Sequence, residues 1–482
     1  MLQRLLKVNI VYAVGSAANG AALFLLIPFL VKYLGVTDFG IWSISEIMIY
    51  FLTLVVLAGM DVYMMREYFF LESESERKLL VGTMISMVTM WGTGIIILVI
   101  FVSVWLFKNG ILLNQINPII LVFIVSIGYS EVFFVLLLSI FRIQEKPFQY
   151  VFLSVGHMVI FMSAAIFWMR AGGGLVGALA GRLTAAIVFV IVAWVMARQY
   201  IQLGFSSKYL RPWLNYGLPM VSFGLVFYML ITADRYILQT VAGLEVVAIY
   251  SFTYKIAASI DYLVTRPFGT DWAARRFWIA TQVQPERKYA RSAVLYTFIA
   301  LWCALSVQAA APLLYKWFAP SAYFQGFGAL PILLAANIAI GLSYPLNVGI
   351  MLKDRTKLLL PIAAFAGIVY VVALFFLIPY NPIQGAAWST LFAYSIYTTG
   401  ITIVSLRLYP VNYPIKEWCM LGLCAILAAA GLFLLTLYNA NISLWITAIA
   451  GVFWVFLVFT VTGRFLWKHQ VGITSVEKIP TD

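Results

Sequence analysis

The chain has 482 residues, 63% of them apolar and 10% charged, against roughly 45–50% and about 25% in soluble domains. That balance excludes a soluble globular fold, and the apolar residues fall into blocks of about 20 or more, enough for helices to cross about 30 Å of hydrocarbon. A net charge of +13 would point to nucleic acid in a soluble protein; here an excess of cations on one side of a membrane accounts for it, and no nucleic-acid partner is expected.

Fourteen blocks follow one another, at roughly 8–34, 40–62, 79–107, 117–141, 149–169, 175–200, 214–241, 246–268, 291–316, 326–351, 358–379, 384–408, 415–437 and 443–467. The first is too long for a signal-peptide core and is read as a span. The alternating pattern of a membrane barrel is absent, so the backbone must be satisfied within helices and the fold class is all-α and polytopic. The longest connection joins the eighth and ninth blocks. There Trp272, Phe277 and Trp278 mix with Arg275 and Arg276, which fits either a short helix lying in the interface or a plain basic loop.

Placing alternate connections on opposite sides tests this map. Of the 31 Lys and Arg, Lys32, Lys108, Arg170 and Lys316 fall on one side, and Arg182, Arg235, Lys255 and Arg266 lie inside spans; all the others gather on the second side. The asymmetry supports fourteen spans with both termini in the cytoplasm. The three cysteines, Cys303, Cys419 and Cys424, lie in apolar blocks with neither disulfide nor metal-ligand spacing.

The chain also repeats itself. LGVTDFGIWSIS from Leu34 is echoed by AGLEVVAIYSFT from Ala242, with Gly35 on Gly243, Ile41 on Ile249, Trp42 on Tyr250 and Ser43 on Ser251. A second echo, Glu145-Lys146 and Asp354-Arg355, falls at nearly the same offset on the cytoplasmic side. The unit is six spans, an even number, so the copies enter the membrane in the same direction, as in the parallel repeats of some secondary transporters. The expected division is a six-helix lobe over 1–207, a second over 208–410, and an extra helix pair with a cytoplasmic tail over 411–482.

Ionisable groups within hydrocarbon are costly and by default functional candidates. Helical spacing gathers polar residues into stripes: Asn9, Tyr12, Ser16 and Asn19 on the first span; Ser43, Glu46, Tyr50 and Thr53 on the second, with Asp61 two turns on; Tyr228, Thr232, Arg235 and Gln239 on the seventh; Lys255, Ser259, Tyr262 and Arg266 on the eighth. Stripes on matching helices of the two repeats fit a shared water-accessible cavity, or helix–helix contacts in which Asp234 pairs with Lys255 and Arg266 reaches the interface. Arg182 stands among apolar neighbours, with pairing and substrate contact both open. Glu131, near the middle of the fourth span, is a candidate proton or cation carrier, and His157 reads as a hydrogen-bonded packing residue. A cavity with several fixed cations attracts an anionic group such as phosphate or pyrophosphate.

Two segments, IPFLVKYLGVTDFGIWS from Ile27 and ADRYILQTVAGLEVVAIYSFTYKIA from Ala233, resemble the polysaccharide-export flippases of the multidrug/oligosaccharidyl-lipid/polysaccharide superfamily, the O-antigen type among them. The resemblance implies two six-helix lobes in a V that open alternately to either side of a bacterial inner membrane. It implies a substrate of oligosaccharide on undecaprenyl pyrophosphate, moved to the outer leaflet, with a polysaccharide polymerase and a chain-length regulator as partners. Arg182, Arg235, Lys255, Arg266 and Tyr262 match the pyrophosphate and sugar contacts by character, and spans 13 and 14 match a groove for the lipid tail. Glu46, Asp61, Glu131, Asp234 and Asp261 are the candidates for H+ or Na+ coupling, and no metal or other cofactor is expected. The competing reading is a multidrug/cation antiporter of the same superfamily. An enzyme such as a polymerase or glycan ligase is not expected, because every external connection is short and no catalytic constellation is visible.

Overall fold

The computed structural model describes residues 25–108, 117–416, 418–423, 425 and 460. The start of the first span with Asn9, Tyr12, Ser16 and Asn19, and nearly all of spans 13 and 14, lie outside the described residues. Within them the fold is all-helical. Helix α1 ends over 25–33, followed by α2 (Val36–Leu57), α3 (Met60–Tyr68), α4 (Glu74–Lys108), α5 (Pro118–Ile143), α6 (Pro147–Trp168), α7 (Gly174–Ala197), α8 (Leu210–Ala242), α9 (Leu244–Ala257), α10 (Arg266–Ala280), α11 (Pro285–Phe318), α12 (Leu330–Leu346), α13 (Val348–Leu352), α14 (Leu359–Leu377) and α15 (Pro382–Leu408).

Nine helical stretches among the described residues are long and apolar enough to cross a membrane. One of them, Pro147–Tyr200, holds the fifth and sixth expected spans, separated by a wide π turn at Met169–Gly173 where Gly172 takes φ 88°. The expected eighth span is divided: α9 stops at Ala257, a π turn follows at Asp261–Thr265, and α10 carries on to Ala280. Among the described residues the nine stretches hold the second to seventh and the ninth to twelfth expected spans, which is consistent with the fourteen-span pattern. Large apolar side chains point outward along α4, where Ile97, Leu98, Ile100 and Phe101 are all exposed, as lipid in place of water allows. This is a multi-pass membrane protein.

The helices pack as two compact units. The first comprises the described residues of 1–255, 318–326 and 357–393; the second comprises those of 256–317, 327–356 and 394–482. In the first, small residues let backbones approach closely, as is usual between membrane helices. A Cβ added at Gly181 of α7 would lie 2.3 Å from the Ala165 backbone of α6, and one at Gly40 of α2 would lie 2.3 Å from the Leu244 carbonyl oxygen of α9. The second unit has a tyrosine-rich core, in which Trp272 stacks on Phe268 at 5.3 Å and meets Tyr289 edge-on at 6.1 Å.

Both echoes in the sequence have a common local structure. Gly35 and Gly243 each stand immediately before a helix, and their carbonyls accept from Phe39 and Val247, four residues on in each case. Glu145 and Asp354 both end a helix in the left-handed region, at φ 50° and 51°. In both turns the next residue's N–H, from Lys146 or Arg355, reaches back five positions to the carbonyl of Phe141 or Ile350, at 2.9 Å each, closing a helix C-terminus of Schellman type.

Candidate functional site

Every cation that the sequence places within a span is held by an acid that the sequence also singles out. Arg182 of α7 makes a two-pronged contact with Glu131 of α5, Nε to Oε1 at 2.8 Å and Nη2 to Oε2 at 3.2 Å, the planar fork for which guanidinium suits carboxylate. Lys255 Nζ of α9 lies 2.6 Å from Glu46 Oε2 of α2. Arg235 Nη1 lies 2.7 Å from Asp234 Oδ1, and Arg266 Nε lies 2.7 Å from Asp261 Oδ2.

Burial separates these four pairs by role. The Asp234–Arg235 pair is sealed, with side-chain exposures of 0% and 8%. Tyr250 donates to Asp234 Oδ2 at 2.6 Å, Thr390 bridges Tyr250 and Tyr370 at 3.1 Å each, and the guanidinium sits 3.9 Å from the centre of the Tyr254 ring. A fully paired polar network of this kind fixes helix register. The Arg182–Glu131 and Lys255–Glu46 pairs are only partly covered, at 16% each and at 26% and 23%. They belong to the same unit, and Arg182 lies 5.9 Å from the centre of the Phe161 ring, which stacks on Trp42 of α2 at 6.1 Å. Tyr228 donates to the Ile47 carbonyl at 2.7 Å and packs on Tyr50, whose ring is largely exposed, at 4.8 Å. These side chains from α2, α5, α7, α8 and α9 form a partly accessible polar cluster in otherwise apolar helices.

The structure rearranges several sequence expectations. Asp234 pairs with its neighbour Arg235, leaving Lys255 to Glu46. Arg182 is not isolated, because Glu131, 51 positions earlier, meets it across the α5–α7 contact. The expected stripe on the eighth span presumed one regular helix. The π turn shifts the register after Ala257, and Lys255 falls in the first unit while Tyr262 and Arg266 fall in the second. There Arg266 lies 4.3 Å over the Tyr262 ring and is 52% exposed. Asp61 is set apart from the Glu46 stripe, since α2 ends at Leu57 and the left-handed Ala58 and Gly59 redirect the chain into α3, where Asp61 sits in the first turn. His157 packs as expected, but by stacking on Phe134 at 4.7 Å, and its Nε2 is buried with no hydrogen-bond partner.

The sequence profile of the polysaccharide biosynthesis protein family matches residues 5–270. No curated protein matches the chain by sequence. Among solved structures, the chain is similar to the lipid II flippase MurJ in an inward closed conformation, with a TM-score of 0.74, 13% identity, and coverage of 96% of this chain and 100% of that one. It is also similar to an inward-facing multidrug resistance MATE family transporter of the MOP superfamily, at 0.66, 14%, 81% and 94% in the same order. A variant of the Vibrio cholerae MATE transporter VcmN gives 0.59, 13%, 84% and 96%. At these identities the likeness is one of fold.

Proposed function

The chain belongs to the polysaccharide biosynthesis protein family, and from that premise we propose that it is a flippase for an undecaprenyl-pyrophosphate-linked oligosaccharide, moving it from the cytoplasmic to the outer leaflet of a bacterial inner membrane. In this reading both termini are cytoplasmic, residues 1–207 and 208–410 act as two lobes in a V that open alternately to each side, and spans 13 and 14 hold the lipid tail. A polymerase and a chain-length regulator take the product onward.

The observation that carries the proposal is the pair of partly exposed ion pairs, Arg182–Glu131 and Lys255–Glu46. Glu131 and Glu46 act as built-in anions that keep the two cations neutralised while the site holds no substrate. A pyrophosphate, with more charge and more acceptor oxygens, competes for the same guanidinium and ammonium. A displaced carboxylate in a low-dielectric site is costly unless a proton or cation neutralises it. Exchange of partners therefore links substrate entry to uptake of H+ or Na+. The Asp234–Arg235 network is too enclosed for this role and is assigned to structure, and the exposed Arg266–Asp261 pair with Tyr262 to a peripheral contact with substrate.

Drug extrusion is the competing reading, favoured by the shared MATE fold. It requires an acid free to hold a cationic drug, and Glu46 and Glu131 are both taken up by cations. The test is a gene deletion complemented by wild type, Arg182→Gln or Lys255→Gln. The expected result is lipid-linked oligosaccharide retained on the cytoplasmic leaflet and loss of surface polysaccharide, reversed by wild type and not by either variant at equal membrane abundance. Normal oligosaccharide pools with a change in drug tolerance would sink the flippase reading.

A further inference from the structure

Arg276 differs from every cation described above. It lies on the inward face of α10, four residues after Trp272 and three before Ile279, which are 1% and 3% exposed. It is thus a cation set into an apolar seam. Its Nη1 donates to Asn347 Oδ1 at 3.3 Å, while its Nε is buried with no hydrogen-bond partner. The acids along the chain nearby are committed elsewhere, Asp271 to Arg275 at 3.0 Å and Glu286 to the Tyr409 hydroxyl at 2.7 Å. Burial holds the Arg276 guanidinium below the ordinary arginine range. Among the described residues, this half-buried guanidinium with a free Nε has no anion beside it.

The position indicates which anion. Tyr289, which donates to the Arg276 carbonyl at 2.6 Å, is one turn from the start of α11, and Asn347 is little more than one turn from the end of α13 at Leu352. Both helices belong to membrane-crossing stretches, so Arg276 lies at the level where hydrocarbon meets headgroups. Its neighbours Phe277 and Trp278 are 48% and 60% exposed, the aromatic signature of that layer. We propose that Arg276, oriented by Asn347, binds the phosphate of an anionic glycerophospholipid whose acyl chains lie against α10. This site is in the second unit and does not depend on the flippase reading.

The test uses the full chain in a neutral detergent, with thermal unfolding followed as phosphatidylglycerol, phosphatidylcholine or inorganic phosphate is added. Phosphatidylglycerol is expected to raise the unfolding temperature of wild type and of the Arg275→Gln control alike. Arg276→Gln should raise the half-saturating lipid concentration about tenfold, the loss of one charge-assisted hydrogen bond. Asn347→Asp places a carboxylate of the same shape beside the guanidinium. It should unfold at a higher temperature than wild type without lipid and lose the lipid-dependent shift. This variant keeps the proposal falsifiable if Arg276→Gln does not fold. Equal responses of wild type and Asn347→Asp would overturn the site. Equal shifts from phosphatidylcholine would overturn the requirement for an anionic headgroup, and equal shifts from inorganic phosphate would overturn the lipid as its source.

Discussion

Glu145 and Asp354 adopt the same left-handed conformation, φ 50° and 51°, at the corresponding turn of two sequence repeats. A non-glycine residue rarely sits there, because its Cβ crowds the neighbouring carbonyl. Two such residues in matching turns, closed by matching hydrogen bonds from Lys146 and Arg355, make the repeat a property of the backbone as well as of the letters.

The strain at these turns is measurable. Glu145→Gly and Asp354→Gly should each leave stability unchanged or raise it by up to about 1 kcal/mol, and valine at either position should lower it by about 1–2 kcal/mol. Thermal unfolding of the four variants checks this. A pronounced loss on Glu145→Gly alone would show that the two turns are not equivalent.

Asp234 is expected to be the acid least tolerant of change. Asp234→Asn removes the charge and leaves Arg235 buried and unpaired, which costs about 3–5 kcal/mol. Replacing both partners, Asp234→Leu with Arg235→Met, should recover much of that loss. Folded yield by size-exclusion chromatography and the unfolding temperature distinguish the two. Equal behaviour of the single and double variants would remove the ion pair from the explanation.

The α6–α7 seam tolerates no added bulk. Gly181→Ala brings a methyl group to 2.3 Å from the backbone nitrogen of Ala165, and separating the helices to admit it should cost about 1–3 kcal/mol. Gly94→Ala, with no atom within 4 Å, serves as the control and should be neutral or slightly stabilising. A stable Gly181→Ala would mean that α6 and α7 pack less closely.

Burial, then the hydrogen bond to Glu286, pushes the Tyr409 hydroxyl up to about 12, against about 10 for a free tyrosine. The raised value means that this bond contributes its full stability below about pH 10 and loses it as pH rises through about 12. The difference in ultraviolet titration between wild type and Tyr409→Phe should isolate one phenol ionising near the upper value. A difference curve centred near 10 would show that the contact is absent.

Span positions were legible because hydropathy is a one-dimensional signal, and the blocks from Val36 to Leu408 reappear as helices, the eighth block divided by a π turn. The azimuth of a residue on its own helix was legible too, as with Glu46 and Tyr50. The neighbour across the gap was not. Periodicity shows that Glu131 and Arg182 each interrupt an apolar helix, yet their meeting depends on how α5 and α7 are rotated against each other, which neither helix's own pattern specifies. Pro267, two residues past the π turn, cannot donate back to Leu263 and was the one local signal of the break after Ala257; it escaped notice because every residue of DYLVT is itself compatible with an ordinary helix. Arg276 was visible only as part of a basic aromatic run; that its Nε lacks a partner is a matter of three dimensions.

The partners of the accessible ion pairs are made at different times. Glu46 and Lys255 are 209 positions apart, and Glu131 and Arg182 are 51 apart. At about 5–20 residues per second, roughly 10–40 s of synthesis separate the first two and about 3–10 s the second two. Throughout that interval the nascent chain holds a carboxylate whose cation has not yet left the ribosome. Until α9 is made, an ionised Glu46 on α2 has no counter-charge, so burying α2 in hydrocarbon before then carries the cost of an unpaired carboxylate.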